Sequence, residues 1–167
     1  MSLRVGVVGS ANIDLVFEAT RVPAEGETTI GSTYREFPGG KGLNQAVAAV
    51  ELAPTTLVCA LGSDDAGDAL ASTLHNAGVA VHGPPRRGTT GRALVLLSEG
   101  DNRIVVVPGA NDALEPADVV ESLDAFDPAV VVAVLEVPPA AVAAAARWCV
   151  THGRRFVVNA SPVDALD

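Results

Sequence analysis

Four short segments that read as strands constrain this chain most: residues 3–8, 56–61, 129–135 and 155–159. The first is nearly continuous in apolar character, which fits a strand of a sheet covered on both faces. Between and around them, residues 41–52, 66–77, 116–126 and 140–150 carry the alanine, valine and leucine content of packed helices. Pro54 and Gly78 lie where two of those helices must stop, and Pro138 and Pro139 stand at the approach to the last. This βα rhythm predicts an α/β fold with a mostly parallel sheet flanked by helices on both faces. With 49% hydrophobic residues among 167, the chain is long enough to bury one such core, and it contains neither an internal repeat nor a long linker.

Other segments break that rhythm. Residues 28–37 read as an exposed strand and 79–81 as a short one. Residues 91–98 and 103–107 flank the polar turn Glu99-Gly100-Asp101-Asn102, as in a hairpin. These pieces predict antiparallel strands added to the parallel sheet.

Charge and composition exclude several classes. A net charge of −9 opposes nonspecific attachment to nucleic acid, and Arg86 and Arg87 make only a short basic pair beside Pro84, Pro85 and Gly88. The apolar stretches 129–135 and 138–146 are separated by Glu136 and fall short of a membrane span. The opening residues do not read as a secretory signal, so the expected location is cytoplasmic. Cys59 and Cys149 both sit in apolar surroundings and are expected as reduced core residues.

Chemistry concentrates at FPGGKGLNQAVAAVELA, residues 37–53. Gly39, Gly40 and Gly42 permit tight backbone geometry and close approach of a ligand. Lys41 adds charge, and Asn44 can exchange hydrogen bonds with hydroxyl groups. The spacing fits neither the GxxxxGK[ST] phosphate loop nor a GxGxxG fingerprint. A polar ligand at a helix entrance is one reading, and a turn joining a strand to a helix is the other. Ser10, Asn12 and Asp14 fall in the turn after the first strand, at the carboxyl edge where open α/β sheets form ligand crevices. Asp14 suits two sugar hydroxyls and Asn12 can both donate and accept, unless both serve only a turn network. Glu136 follows the 129–135 strand at the same edge, as a ligand-orienting acid or a solvated strand end. Asn159 follows the last strand, as pocket support or cap. Asp64, Asp65 and Asp68 suit a strand-to-helix turn better than a metal site. No serine lies in a GxSxG elbow, and the three histidines are dispersed.

Taken in order, VVGSANIDLV, FPGGKGLNQAVAA, ALGSDDAGD, TTGRALVLL and RIVVVPGAND resemble the opening half of the ribokinase branch of the PfkB carbohydrate kinases, over nearly the whole chain. The resemblance implies that Ser10, Asn12, Asp14, Gly40, Lys41, Asn44 and Glu136 surround a phosphoryl acceptor, D-ribose, with Asn12 and Asp14 holding its hydroxyls. It implies a small β-sheet lid from residues 28–37 and 91–107 that closes over the sugar and contributes to a homodimer. Arg92 stands where many relatives carry a small or apolar residue, and is expected to influence closure or to touch an anionic or extended part of the acceptor.

A complete relative transfers the γ-phosphoryl group of ATP with the help of Mg²⁺ and a distal aspartate in a glycine-rich anion hole. No GAGD-like segment occurs here. Residues 1–167 are therefore expected to form a partial ribokinase-like domain, with the C-terminal half absent and no catalytic, nucleotide-binding or metal-binding residue assigned. The isolated chain is expected to be inactive unless a complementing C-terminal half joins it. The alternatives are a sugar-binding regulatory module, a non-catalytic gene fragment, or another carbohydrate or nucleoside kinase of the same family.

Overall fold

The computed structural model describes residues 3–162. In chain order they form β1 Val5–Val8, β2 Asn12–Glu18, β3 Thr33–Gly39, α1 Lys41–Val50, β4 Thr55–Val58, α2 Asp65–Asn76 and β5 Ala80–His82. There follow β6 Gly91–Ser98, β7 Asp101–Val107, a 3₁₀ turn Gly109–Ala113, α3 Pro116–Phe126, β8 Val130–Val134, α4 Pro139–His152 and β9 Arg155–Asn159.

Five strands make one parallel sheet in the order β5-β4-β1-β8-β9. Strands β1, β4 and β8 are covered on both sides, while β9, at the edge, leaves Val157 and Val158 exposed on its two faces. Leu43 and Ala46 of α1 pack with Leu70 and Leu74 of α2 against Val7 and Leu57. On the other face, Val119 and Leu123 of α3 and Ala141, Ala145 and Trp148 of α4 pack against Val8, Val58 and Val131. Cys59 and Cys149 are free and buried, and burial pushes the Cys59 thiol up to about 12.

Three helices carry their own start and stop signals. The Asp64 carboxylate accepts from the Gly67 N–H at 3.0 Å and caps α2. Glu115 and Asp118 form a capping box around Pro116 at the start of α3. Gly153, at φ 61°, ends α4 in the left-handed conformation. The entrance to α1 has no such cap: Gly40 precedes it at φ 92° with no side chain to offer.

The second sheet has four strands in the order β3-β2-β6-β7. Its central pair, β2 and β6, is parallel, while β3 and β7 flank it antiparallel. Two expectations are corrected here. Asn12 and Asp14 lie not in a turn but on β2, a strand crossing directly from the parallel sheet into the small one. The strand expected over 28–37 begins only at Thr33 and runs on through Gly39. The polar residues of NIDLVFE hid β2, and only the break at Gly9-Ser10 separates it from β1.

Candidate functional site

In the parallel sheet β1 connects through α1 to β4 on one side, while its other neighbour is β8. The chain direction therefore switches between the carboxyl ends of β1 and β8, which is where open α/β sheets leave a crevice. Ser10 follows β1 and Glu136 follows β8, so the topology brings together two residues far apart in sequence.

These two residues supply the cap that α1 lacks. The Glu136 carboxylate accepts the Lys41 backbone N–H at 2.9 Å and the Ser10 hydroxyl at 2.5 Å, and its other oxygen pairs with Lys41 Nζ at 2.5 Å. Ser10 also accepts the next helical N–H groups, Gly42 through its Oγ at 3.4 Å and Leu43 through its carbonyl at 2.9 Å. The free N–H groups of the first helical turn are thus met by side chains from elsewhere, with an anion at the positive end of the helix. Burial alone would raise the Glu136 pKa, but the hydrogen bonds from Lys41 and Ser10 and the Lys41 charge hold it below its ordinary value.

Strand register decides which side chains of the small sheet face this knot. Asn12 and Asp14 share one face of β2 with their cross-strand neighbours Gly39 and Phe37 on β3 and Gly91 and Ala93 on β6. On β7 the same face carries Ile104 and Val106. Gly39 leaves room for the Asp14 carboxylate, since a Cβ at that position would fall on its oxygens. Asp14 is raised above its ordinary pKa, first by burial and then by the Glu136 charge, while Lys41 pulls it down. Two carboxylates beside one lysine are thereby driven apart in proton affinity.

The polar groups converge on a cleft of about 460 Å³ lined by Asn12, Lys41 and Glu136, with Ile104 and Val106 of the small sheet opposite. A larger groove of about 750 Å³ runs between α3 and α4 past Trp148, but none of the expected site residues lines it. The smaller cleft is the candidate site because charge, donors and an apolar wall meet there.

Not every expected residue joins it. Gly42 packs against the Gly9–Ser10 backbone beneath the cleft and supports the corner. Asn44 is exposed on the first turn of α1 and does not line the cleft. Asn159 ends β9 and lines a different groove, on the α1 side of the sheet beside Gln45 and Val157. Arg92 has Ile13 as its register partner, so it projects from the face opposite Asn12 and Asp14, where Asp64 lies 3.9 Å away, the geometry of a salt-bridged residue of the small sheet. Asp64 in turn holds the start of β6 by accepting the Thr90 N–H at 3.0 Å. The aspartates of that region form a cap and a latch, and among the described residues no three potential ligands gather around a metal position.

Sequence reasoning missed Asn111. It is 1% exposed in the 3₁₀ turn, accepts the Ala11 N–H at 3.0 Å and donates to Asn12 Oδ1 at 2.7 Å. A lone asparagine after Pro-Gly-Ala reads as a turn residue, and its partners lie about a hundred positions away.

A parallel sheet with a second, four-stranded sheet beside a helix entrance and a switch-point acid defines the class of protein, an α/β fold with a polar cleft at the carboxyl end of its parallel strands. The model of the pfkB family carbohydrate kinases matches residues 2–165, and the chain belongs to that family. The ribokinase of Bacillus subtilis (strain 168) is 37% identical over 164 residues, which are 96% of this chain and 56% of the relative. The ribokinase structure from Giardia lamblia superposes with a TM-score of 0.84 at 30% identity, covering 97% of this chain and 52% of that one. The Arabidopsis thaliana ribokinase complexed with ribose and ATP gives a TM-score of 0.76 at 30% identity, covering 95% of this chain and 53% of that one. The chain spans about half the length of the curated relatives it matches. No helix among the described residues is long and apolar enough to cross a membrane.

Proposed function

We propose that this chain is the acceptor-binding portion of an ATP-dependent sugar kinase that, when complete, phosphorylates D-ribose to ribose 5-phosphate. The observation that carries the reading is the knot of Ser10, Lys41 and Glu136 at the start of α1, beside a cleft that Lys41 and Glu136 line together with Asn12, with Asp14 on the same face of β2 as Asn12. Asp14 and Glu136 are acceptors suited to hydroxyl groups, and Asn12 supplies amide chemistry beside them. A carbohydrate offers many hydroxyls at such spacing, and the relative solved with ribose and ATP supports ribose among carbohydrates.

In this reading the chain's own residues bind and orient the acceptor. The helix entrance fixes one wall. The lid, carrying Asn12, Asp14, Ile104 and Val106, closes over the sugar and excludes water from the hydroxyl that reacts. ATP and Mg²⁺ belong to the complete enzyme. The residues described here do not fit them: the cleft's lysine is engaged by Glu136, and no cluster of three metal-ligating groups is present among the described residues. Phosphoryl transfer is therefore assigned to a C-terminal half, in the same polypeptide or a complementing one, and the isolated chain to sugar binding alone. Exposed Val105 and Val107 on the outer strand of the lid support pairing of two copies there. The buried free thiols suit a reducing cytoplasm.

Calorimetric titration of the folded 167-residue chain with D-ribose tests the reading. Saturable binding that Asp14→Ala weakens by at least about tenfold is expected, since a charge-assisted hydrogen bond is lost. A folded chain with no saturable sugar binding overturns it.

A further inference from the structure

We propose that Asn111 is a positioning residue that fixes Asn12 as a hydrogen-bond donor toward the cleft, so that β2 selects an acceptor hydroxyl able to accept from Asn12 and donate to Asp14. This inference deepens the sugar-binding reading and rests on it.

The argument starts from a group whose role has no ambiguity. The backbone N–H of Ala11 can only donate, and it points at one side-chain atom of Asn111 from 3.0 Å, so that atom is the amide oxygen. The other end of the same amide is then the NH₂ group, which reaches Pro108 O at 2.9 Å and Asn12 at 2.7 Å. An NH₂ can only donate, so Asn12 meets it with its own oxygen. The planar Asn12 amide therefore turns its NH₂ away from Asn111. One backbone proton at the β1–β2 crossing thus sets the direction of two side chains in succession.

The surroundings are shaped for this pair. Asn111 is 1% exposed and Asn12 3%. A Cβ at Gly91, the first residue of β6, would fall on both amides, so this strand start leaves space for them. Both amides also line the cleft that holds Lys41 and Glu136. Two residues beyond Asn12, on the same face of β2, Asp14 offers acceptors. A donor and an acceptor side by side match a hydroxyl, which does both. A carbonyl oxygen at that place accepts but leaves Asp14 without a donor, and a deoxy position satisfies neither.

Asn111→Asp tests the relay by its proton. The introduced carboxyl keeps an oxygen for the Ala11 N–H. Protonated, it still donates to Asn12; ionised, it only accepts, and Asn12 turns its carbonyl toward the cleft. D-ribose affinity of N111D is expected to fall about tenfold as pH rises through the titration of that carboxyl. The charged groups lining the cleft are Lys41 on α1, Asp112 beside Asn111 in the 3₁₀ turn and Glu136 after β8, and Asp14, on the same face of β2 as Asn12, is coupled to Lys41 and Glu136. Asp14 is present in both proteins, so its ionisation over the same rise acts on both alike, and the relay is read as the fall in affinity of N111D relative to the parent. A folded N111D whose ribose affinity follows the parent across the pH range overturns the proposal.

If N111D does not fold, the side-chain amide signals of ¹⁵N-labelled parent decide. The Asn111 NH₂ is expected to exchange slowly before ribose is added, and the Asn12 NH₂ to be the pair that shifts on its addition. An Asn12 NH₂ that exchanges slowly and stays silent with ribose overturns the relay. Slow Asn111 exchange in a parent that binds no ribose removes the sugar reading and the hydroxyl selection, and upholds the orientation of the two amides.

Discussion

The two sheets of this molecule are built on opposite terms. In the parallel sheet, every residue of β4 is buried and both faces lie under helices. In the lid sheet, every residue of β7 is exposed, and its valines at positions 105, 106 and 107 have no helix over them. The first sheet is held by apolar area removed from water. The second is held by its strand ladders and by polar ties at the crossings: Asp64 to Thr90, Asn111 to Ala11 and Asn12, and Ser10 and Glu136 to the start of α1. A core of that kind is rigid because it is packed. The small sheet has no such packing over β7, whose apolar side chains stay exposed among the described residues.

The contrast makes its largest prediction in the core. Leu57 on β4 is fully buried between α1, α2 and the sheet. Leu57→Ala is expected to lower unfolding free energy by about 2–5 kcal/mol, the range for a large-to-small change in a packed interior. Urea denaturation with an unchanged slope checks it. A loss under about 1 kcal/mol means the parallel sheet is no better packed than the lid, and the comparison fails.

How much of this was legible in the sequence follows the same division. Strands β1, β4 and β8 announced themselves because burial on both faces leaves apolar runs, and β9 through its Phe-Val-Val centre although it is an exposed edge strand. Their helices followed from small-residue content and from Pro and Gly stops. β2 was hidden because its first residues serve the site: Asn12 and Asp14 break the apolar pattern that marks a strand. Ser10, Lys41 and Glu136 stand in the sequence at a strand end or a glycine corner, and the fold brings these three into hydrogen-bonding contact. Sequence did not reveal which face a strand residue takes once its neighbours are unknown. The side that Arg92 takes, opposite Asn12 and Asp14, follows only from its pairing with Ile13. Asn111 was illegible for the same reason, since its role is defined by donors and acceptors that only the fold brings within 3 Å.

Next in size comes the acid response of the knot. Glu136 has its pKa lowered in the fold, so its contribution is present above the unfolded carboxylate range and is lost as pH falls through the lowered value. Asp14 has its pKa raised, so its ionised form costs stability at neutral pH, and that cost is relieved as pH falls through the raised value. Relative to Asp14→Asn, the parent is expected to gain stability on mild acidification. Relative to Glu136→Gln, it is expected to lose about 1 kcal/mol at lower pH, a charge-assisted contact discounted for the half-exposed lysine. Denaturation midpoints across the acid range check both signs. A Glu136→Gln difference that does not change with pH shows that the knot holds by shape and not by charge.

The smallest effect is expected on the lid, and it sharpens the comparison most. Val105 and Val107 share one face of β7 at 62% and 60% exposure, with Leu94 on the neighbouring strand 43% exposed. Changing both valines to threonine keeps β-branched side chains on the strand and removes no packed interior. Monomer stability is expected to stay within about 0.5 kcal/mol of the parent. If two copies meet through this face, the same pair of changes weakens self-association, because the apolar area driving it is replaced by hydroxyls. Sedimentation over a range of concentrations, read beside urea denaturation, separates the two quantities. Unchanged association moves the dimer contact away from this face. A stability loss comparable to that of Leu57→Ala shows that the lid valines are packed within the monomer, and the two sheets are then held by the same force.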